Sequence, residues 1–160
     1  MPDAPVTIVV TRAIAAVPEA AFDAWLDAAR AGTWLFATPT GRIVEVAMEP
    51  RPGGAFRIVD RRDGEDVAHV GTYLALERPA RLAFEFGVPK YSDARDRVEV
   101  TIAGRAEGCD VTLTHTLTPG MEEWAESVRE GWTAILAGLE AELTRARGGG
   151  QRRLRGTRPE

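Results

Sequence analysis

From Met121 to Leu143 the large apolar residues recur at spacings of three and four. Met121, Trp124, Val128, Trp132, Ile135, Leu136, Leu139 and Leu143 fall on one stripe of a 3.6-residue wheel. Glu122, Glu123, Glu126, Arg129, Glu130 and Glu140 take the opposite face. The pattern predicts one long terminal helix, with Thr118 as its cap, Pro119 at its first position and Gly148 as its stop. At 1.5 Å per residue it spans roughly 40 Å, enough to cross a whole sheet. So long a stripe needs a large apolar partner.

The chain upstream supplies that partner. Residues 6–15 are rich in Val, Ile and Thr and read as a strand. Pro18 opens a short helix in which Phe22 and Leu26, and Ala21 and Trp25, pair at i, i+4. A second helical piece is expected over residues 28–36, broken at Gly32. From Arg42 the period changes to two. Six short strands follow, separated by turn signals at Pro52-Gly53-Gly54, Asp63-Gly64, Arg78-Pro79, a polar connection over 87–95, and Glu107-Gly108. Leu82, Phe84 and Phe86 share one parity, as do Val98, Val100 and Ile102, and Val111, Leu113, His115 and Leu117. Clean alternation implies an antiparallel sheet with one packed and one wet face. Covered by the last helix, it makes an α+β two-layer fold, a curved sheet gripping a long helix with space between them.

Composition adds bounds. At 160 residues, with 44% apolar and 28% charged positions, the chain fits one globular domain over residues 1–147. No run is long enough to cross a membrane and the first residues lack a signal peptide's features, so a cytoplasmic location is expected. From Arg145 onward six arginines face one acid, a surplus of five, so the remaining body is near −9 against a total of −4. Residues 148–160 are expected to form a disordered basic tail. The acidic body argues against nucleic acid as a partner. Cys109 is the lone cysteine, expected at an edge or exposed, and no CxxC or HExxH spacing occurs, so neither metal nor cofactor is expected.

The initial strand and paired helices, Pro52-Gly53-Gly54-Ala55-Phe56, the strand at Gly71 followed by Glu77-Arg78-Pro79-Ala80-Arg81-Leu82, Val111-Thr112-Leu113-Thr114-His115, and Gly131-Trp132 with Leu139 together resemble the START-like (SRPBCC, Bet v 1-like) helix-grip superfamily. Within it the chain is most similar to the group related to the C-terminal domain of the activator of Hsp90 ATPase, over residues 6–144. The resemblance implies a helix-grip fold with a hydrophobic cavity between helix and sheet. It implies an apolar small molecule, lipid-like or polyketide-like, as ligand. A chaperone partner, as for an Hsp90-type co-chaperone, and a cyclase-like enzyme are the alternatives it brings. A homodimer is compatible with it.

The candidate ligand-binding residues are Trp34, Phe36, Phe56, Tyr73, Phe84, Phe86, Val100, His115, Trp124, Val128 and Trp132. The aromatic members are expected to face inward, where they either fill a core or line a cavity. His115 lies between Leu113 and Leu117 on the inward parity and needs a hydrogen-bond partner there, for which Tyr73 and a ligand carbonyl are the candidates. His69 is expected to face solvent. No nucleophile elbow or convergent acid–base set is visible, so no catalytic residue is assigned. Asp93 and Asp96 read as hydrated loop acids. Gly131 and Gly138, seven apart within the helix, imply close approach by a strand or space beside Trp132.

Overall fold

The computed structural model describes residues 6–38 and 40–156, with side chains described as far as Arg145. Strand β1 (Thr7–Ile14) is followed by helices α1 (Pro18–Ala24) and α2 (Ala28–Trp34). Six strands come next: β2 (Arg42–Met48), β3 (Ala55–Arg62), β4 (Glu65–Glu77), β5 (Arg81–Gly87), β6 (Asp96–Arg105) and β7 (Gly108–Thr116). A single 3₁₀ turn (Glu122–Trp124) leads into helix α3 (Ala125–Gly156). All seven strands form one antiparallel sheet in the order β1-β7-β6-β5-β4-β3-β2. Strands β2 to β7 are therefore a meander, and β1 returns to pair with the last strand. The fold is the expected helix-grip: a curved antiparallel sheet with α3 laid across its inner face.

Local chemistry explains the turns and the curvature. Asp63 and Gly64 both adopt positive φ, 51° and 80°, which suits the tight β3–β4 hairpin. Register shifts at Ile43/Glu45 in β2 and Tyr73/Ala75 in β4 insert an extra residue and bend those strands. At the first shift Val44 is the extra residue and is exposed, whereas Val46 and Met48 beyond it pack against the core. Gly71 is required by packing: a Cβ there would lie 2.5 Å from the Phe56 ring and 2.2 Å from the Glu85 carbonyl oxygen.

The core is continuous from Trp25 and Trp34 through Leu82, Val98, Val100, Val111 and Leu113 to Leu136, Leu139 and Leu143. At the far end of this packed region Glu142 is buried on α3 and accepts from Thr33 Oγ1 at 2.8 Å, with Arg30 and Arg145 beside it. Those contacts fasten α2 to α3.

Several expectations are corrected. Thr118 does not cap the last helix; Gly120 turns the chain at φ 97° and α3 begins at Ala125, while Thr118 bonds to Asp96. Gly32 does not break α2, because it lies within it. Cys109 is buried in β7 between β1 and β6, and burial pushes its thiol pKa up. The backbone of α3 continues past Gly148, and the expected tail 148–160 has its side chains outside the described residues.

Candidate functional site

The interface between α3 and the sheet has a closed end and an open one. Where Trp25, Trp34, Phe56, Tyr73 and Phe84 meet, ring centroids lie 4.8 to 6.3 Å apart and the residual void is about 10 Å³, marginal for a single water. Beneath the first turns of α3 the packing opens. One cavity of about 470 Å³ is bordered by Phe36, Arg62, His69, Phe86, Val128, Gly131 and Trp132, among others. A second, of about 450 Å³, lies between Val88, Tyr91, Met121, Trp124 and Leu117. Both cavities share Phe86, Val88, His115 and Val128 as walls, so they adjoin.

Phe36 anchors the first cavity. It follows α2 with φ 63°, a conformation that costs a bulky residue about 1–3 kcal/mol and needs support from its surroundings. The support is a stack on His69, centroids 4.3 Å apart and planes 7° from parallel, and contacts with Phe86 at 5.3 Å and Trp132 at 5.7 Å. His69 is 6% exposed and its Nδ1 lies 3.3 Å from the Ile58 carbonyl oxygen. Burial pushes its pKa down to about 4, although the Ile58 bond and Asp60 oppose that shift. The expected solvent-facing position for His69 is thus corrected. Tyr73 precedes the bulge in β4, so His69 and Tyr73 both stay on the packed face.

A second polar group fixes the wall between the cavities. Trp132 Nε1–H donates to His115 Nδ1 at 2.8 Å, and His115 Nε2 lies 2.7 Å from Asp96 Oδ2. Asp96 Oδ1 accepts from the Thr118 backbone N–H at 3.0 Å and from its hydroxyl at 2.5 Å. Because Nδ1 accepts from tryptophan, it holds the lone pair and Nε2 carries the proton toward Asp96. Burial works against ionisation of Asp96, but the bonds from His115 and Thr118 outweigh it and hold the carboxyl below its ordinary range. The partner of His115 is therefore Asp96 and not Tyr73. Asp96 had read as a hydrated loop acid because its place at the start of β6, opposite Phe86 on β5, is invisible in one dimension.

At the opposite side of the first cavity Arg62 Nε donates to Asp60 Oδ2 at 2.7 Å, and Thr38 donates to the same oxygen at 2.8 Å. Asp60 is fully buried and its Oδ1 has no partner among the described residues. A cleft of about 650 Å³ at the other end of the molecule is lined by Ala15, Ala16, Val17, Arg30, Arg105 and Leu143, among others.

The model of the family described as activator of Hsp90 ATPase homolog 1-like protein matches residues 15–144. This chain belongs to that family. Among solved structures, protein CV1439 from Chromobacterium violaceum is 26% identical, with a TM-score of 0.77 over 87% of this chain and 98% of the other. A family protein from Aeromonas hydrophila, solved by NMR, is 22% identical at TM-score 0.76, covering 88% and 94% of the two chains. DynU16, from the dynemicin biosynthetic locus, is 19% identical at TM-score 0.70, covering 86% of this chain and 47% of its own. No curated protein sequence matches.

The residues singled out from sequence divide in two. Phe36, Phe86, His115, Val128 and Trp132 border the first cavity, and Trp124 the second. Trp34, Phe56, Tyr73, Phe84 and Val100 belong to the closed core. Trp124, expected to face inward, is 49% exposed, because the 3₁₀ turn breaks the helical phase before α3 starts. Sequence reasoning missed Arg62, His69 and Asp96. Parity could have found His69, which pairs with the inward Ile58. Gly131 has open space in front of it, beside Trp132, whereas a Cβ on Gly138 would lie 3.3 Å from Trp34 Cβ. The close approach at Gly138 is thus by a helix and not by a strand.

Proposed function

We propose that this protein binds an apolar small molecule in the paired cavities under the first turns of α3. The observation that supports this is the pair of adjoining spaces, about 470 and 450 Å³, sharing Phe86, Val88, His115 and Val128 as walls. Each is of ligand size, whereas the space among Trp25, Phe56, Tyr73, Leu82 and Phe84 is about 10 Å³. Gly131, exposed at the border of the first cavity, has nothing within 4 Å of where a Cβ would lie. His115 serves in this reading as a fixed wall. Both its ring nitrogens are engaged, by Trp132 and Asp96, so it has no free lone pair with which to take a substrate proton. That argues for binding ahead of acid–base chemistry.

Titration with the neutral fluorophore N-phenyl-1-naphthylamine tests the reading. One site per chain is expected, with binding abolished by Val128→Trp and unchanged by Tyr73→Phe in the closed core. Equal binding by wild type and Val128→Trp would place the probe elsewhere and sink the proposal.

A further inference from the structure

The polar side of the first cavity has a defined hydrogen-bonding character. The Ile58 carbonyl can only accept, so the proton of neutral His69 is on Nδ1 and its Nε2 holds a lone pair. No described residue bonds that Nε2, although the ring is nine-tenths buried and borders the cavity. Ile58, Asp60 and Arg62 share one face of β3, and His69, paired with Ile58, is on that same face. Arg62 is folded back along the strand toward Asp60, which engages Nε and leaves the Nη donors without a partner among the described residues. The cavity therefore offers one donor and one acceptor on the same wall, opposite the apolar surface of Val128 and Trp132.

Charge narrows the ligand further. Arg62 is already met by buried Asp60, and the other charged residue on the lining is Glu130, from α3. An anionic head group would face two carboxylates against one guanidinium. A neutral group that both accepts and donates fits better. We propose that this wall is a hydroxyl-recognition subsite, taking the alcohol or phenol of an otherwise apolar ligand, with Arg62 Nη donating to the hydroxyl oxygen and His69 Nε2 accepting its proton. The inference rests on the cavity reading above and adds the polar class of the ligand.

A matched set of naphthalenes, titrated by calorimetry at pH 7, tests it. 2-Methylnaphthalene reports the apolar cavity alone, 2-naphthol adds a donor and acceptor, 2-methoxynaphthalene keeps only the acceptor, and 2-naphthoate adds an anion. The expected order places 2-naphthol roughly three- to tenfold tighter than 2-methoxynaphthalene, the gain of one net hydrogen bond, with 2-naphthoate weakest. The naphthol preference is expected to vanish in His69→Phe, which keeps the stack on Phe36, and to shrink in Arg62→Lys, which keeps a cation beside Asp60. Each variant is judged by the ratio between probes, so a loss of stability cancels, and the wild-type series decides even if a variant does not fold. Binding of 2-methylnaphthalene with no preference for 2-naphthol, or with 2-naphthoate the tightest, overturns the subsite and leaves the cavity reading standing. Failure of all four probes overturns both.

Discussion

Along α3, the stretch from Leu136 to Leu143 and the stretch from Val128 to Trp132 continue one apolar stripe and meet the sheet differently. The later stretch buries Leu136, Leu139 and Leu143 in one cluster with Trp25, Trp34 and the aliphatic strands. The earlier one faces rings of Phe36, Phe86 and His115 that hold each other by stacking and hydrogen bonds, with open space in front. One stripe thus does two jobs. Apolar periodicity tells which face of a helix is inward, and only the size of the opposing side chains tells whether that face is filled.

The sharpest break in the comparison is truncation of one residue in each stretch. Leu139→Ala is expected to cost about 2–5 kcal/mol, since the residue is fully buried and its surroundings cannot collapse around the gap. Val128→Ala, on a half-buried position bordering the cavities, should cost under about 1 kcal/mol. Equal losses in urea unfolding would show that both stretches are load-sharing core.

Acid is the next lever, and it acts on the open end. His69 has its pKa held near 4 in the folded protein against an ordinary 6.5. Between those values the unfolded chain binds more protons, so stability falls as pH drops from 6.5 to 4 and levels off below. The loss is on the order of 3 kcal/mol. Asp96, whose carboxyl is held below its ordinary 3.8, adds to it only at still lower pH. His69→Phe should flatten the slope between pH 6.5 and 4 in chemical unfolding. An unchanged slope would mean that His69 is not held neutral.

Two tryptophans refine the contrast. Trp132→Phe removes the donor to His115 Nδ1 and leaves a buried acceptor unpaired, whereas Trp25 Nε1 has no partner to lose among the described residues. The volume removed is the same. Trp132→Phe is therefore expected to be the more costly by about 1–3 kcal/mol, read as a difference in unfolding free energy. The smallest effect is at glycine. Gly131→Ala has room for its methyl and should stabilise by up to about 1 kcal/mol while weakening probe binding; Gly138→Ala meets Trp34 and should not gain as much. A Gly131→Ala variant that binds the probe as wild type would move the ligand away from α3.

The fold was legible because its signals are periodic and local: alternation in β3 to β7, the stripe on α3, and turn chemistry at Asp63-Gly64. The site was legible only for residues whose parity pointed inward, such as Phe86, His115 and Trp132. What escaped depends on pairing between segments. Asp96 reaches His115 because β6 begins beside β7, and Arg62 reaches the cavity because Asp60 draws it back. Trp124 went wrong for the opposite reason. A wheel drawn through it assumes one unbroken helix, and the turn at Gly120 with the 3₁₀ segment after it shifts the phase.

The pairing of β1 with β7 has a consequence for how the chain reaches this state. Thr7 lies opposite Thr116, so the first strand cannot be zipped in until nearly the whole sheet exists. Contacts between partners so far apart in sequence carry a large closure entropy, while the β3–β4 and β4–β5 hairpins close short loops. During synthesis β1 must wait, unpaired, until the ribosome has delivered the final strand. Pulsed hydrogen exchange during refolding is expected to protect amides of β4 and β5 before those of β1, and simultaneous protection would refute that order. The seam between the oldest and youngest strands is then the last part of the sheet to close.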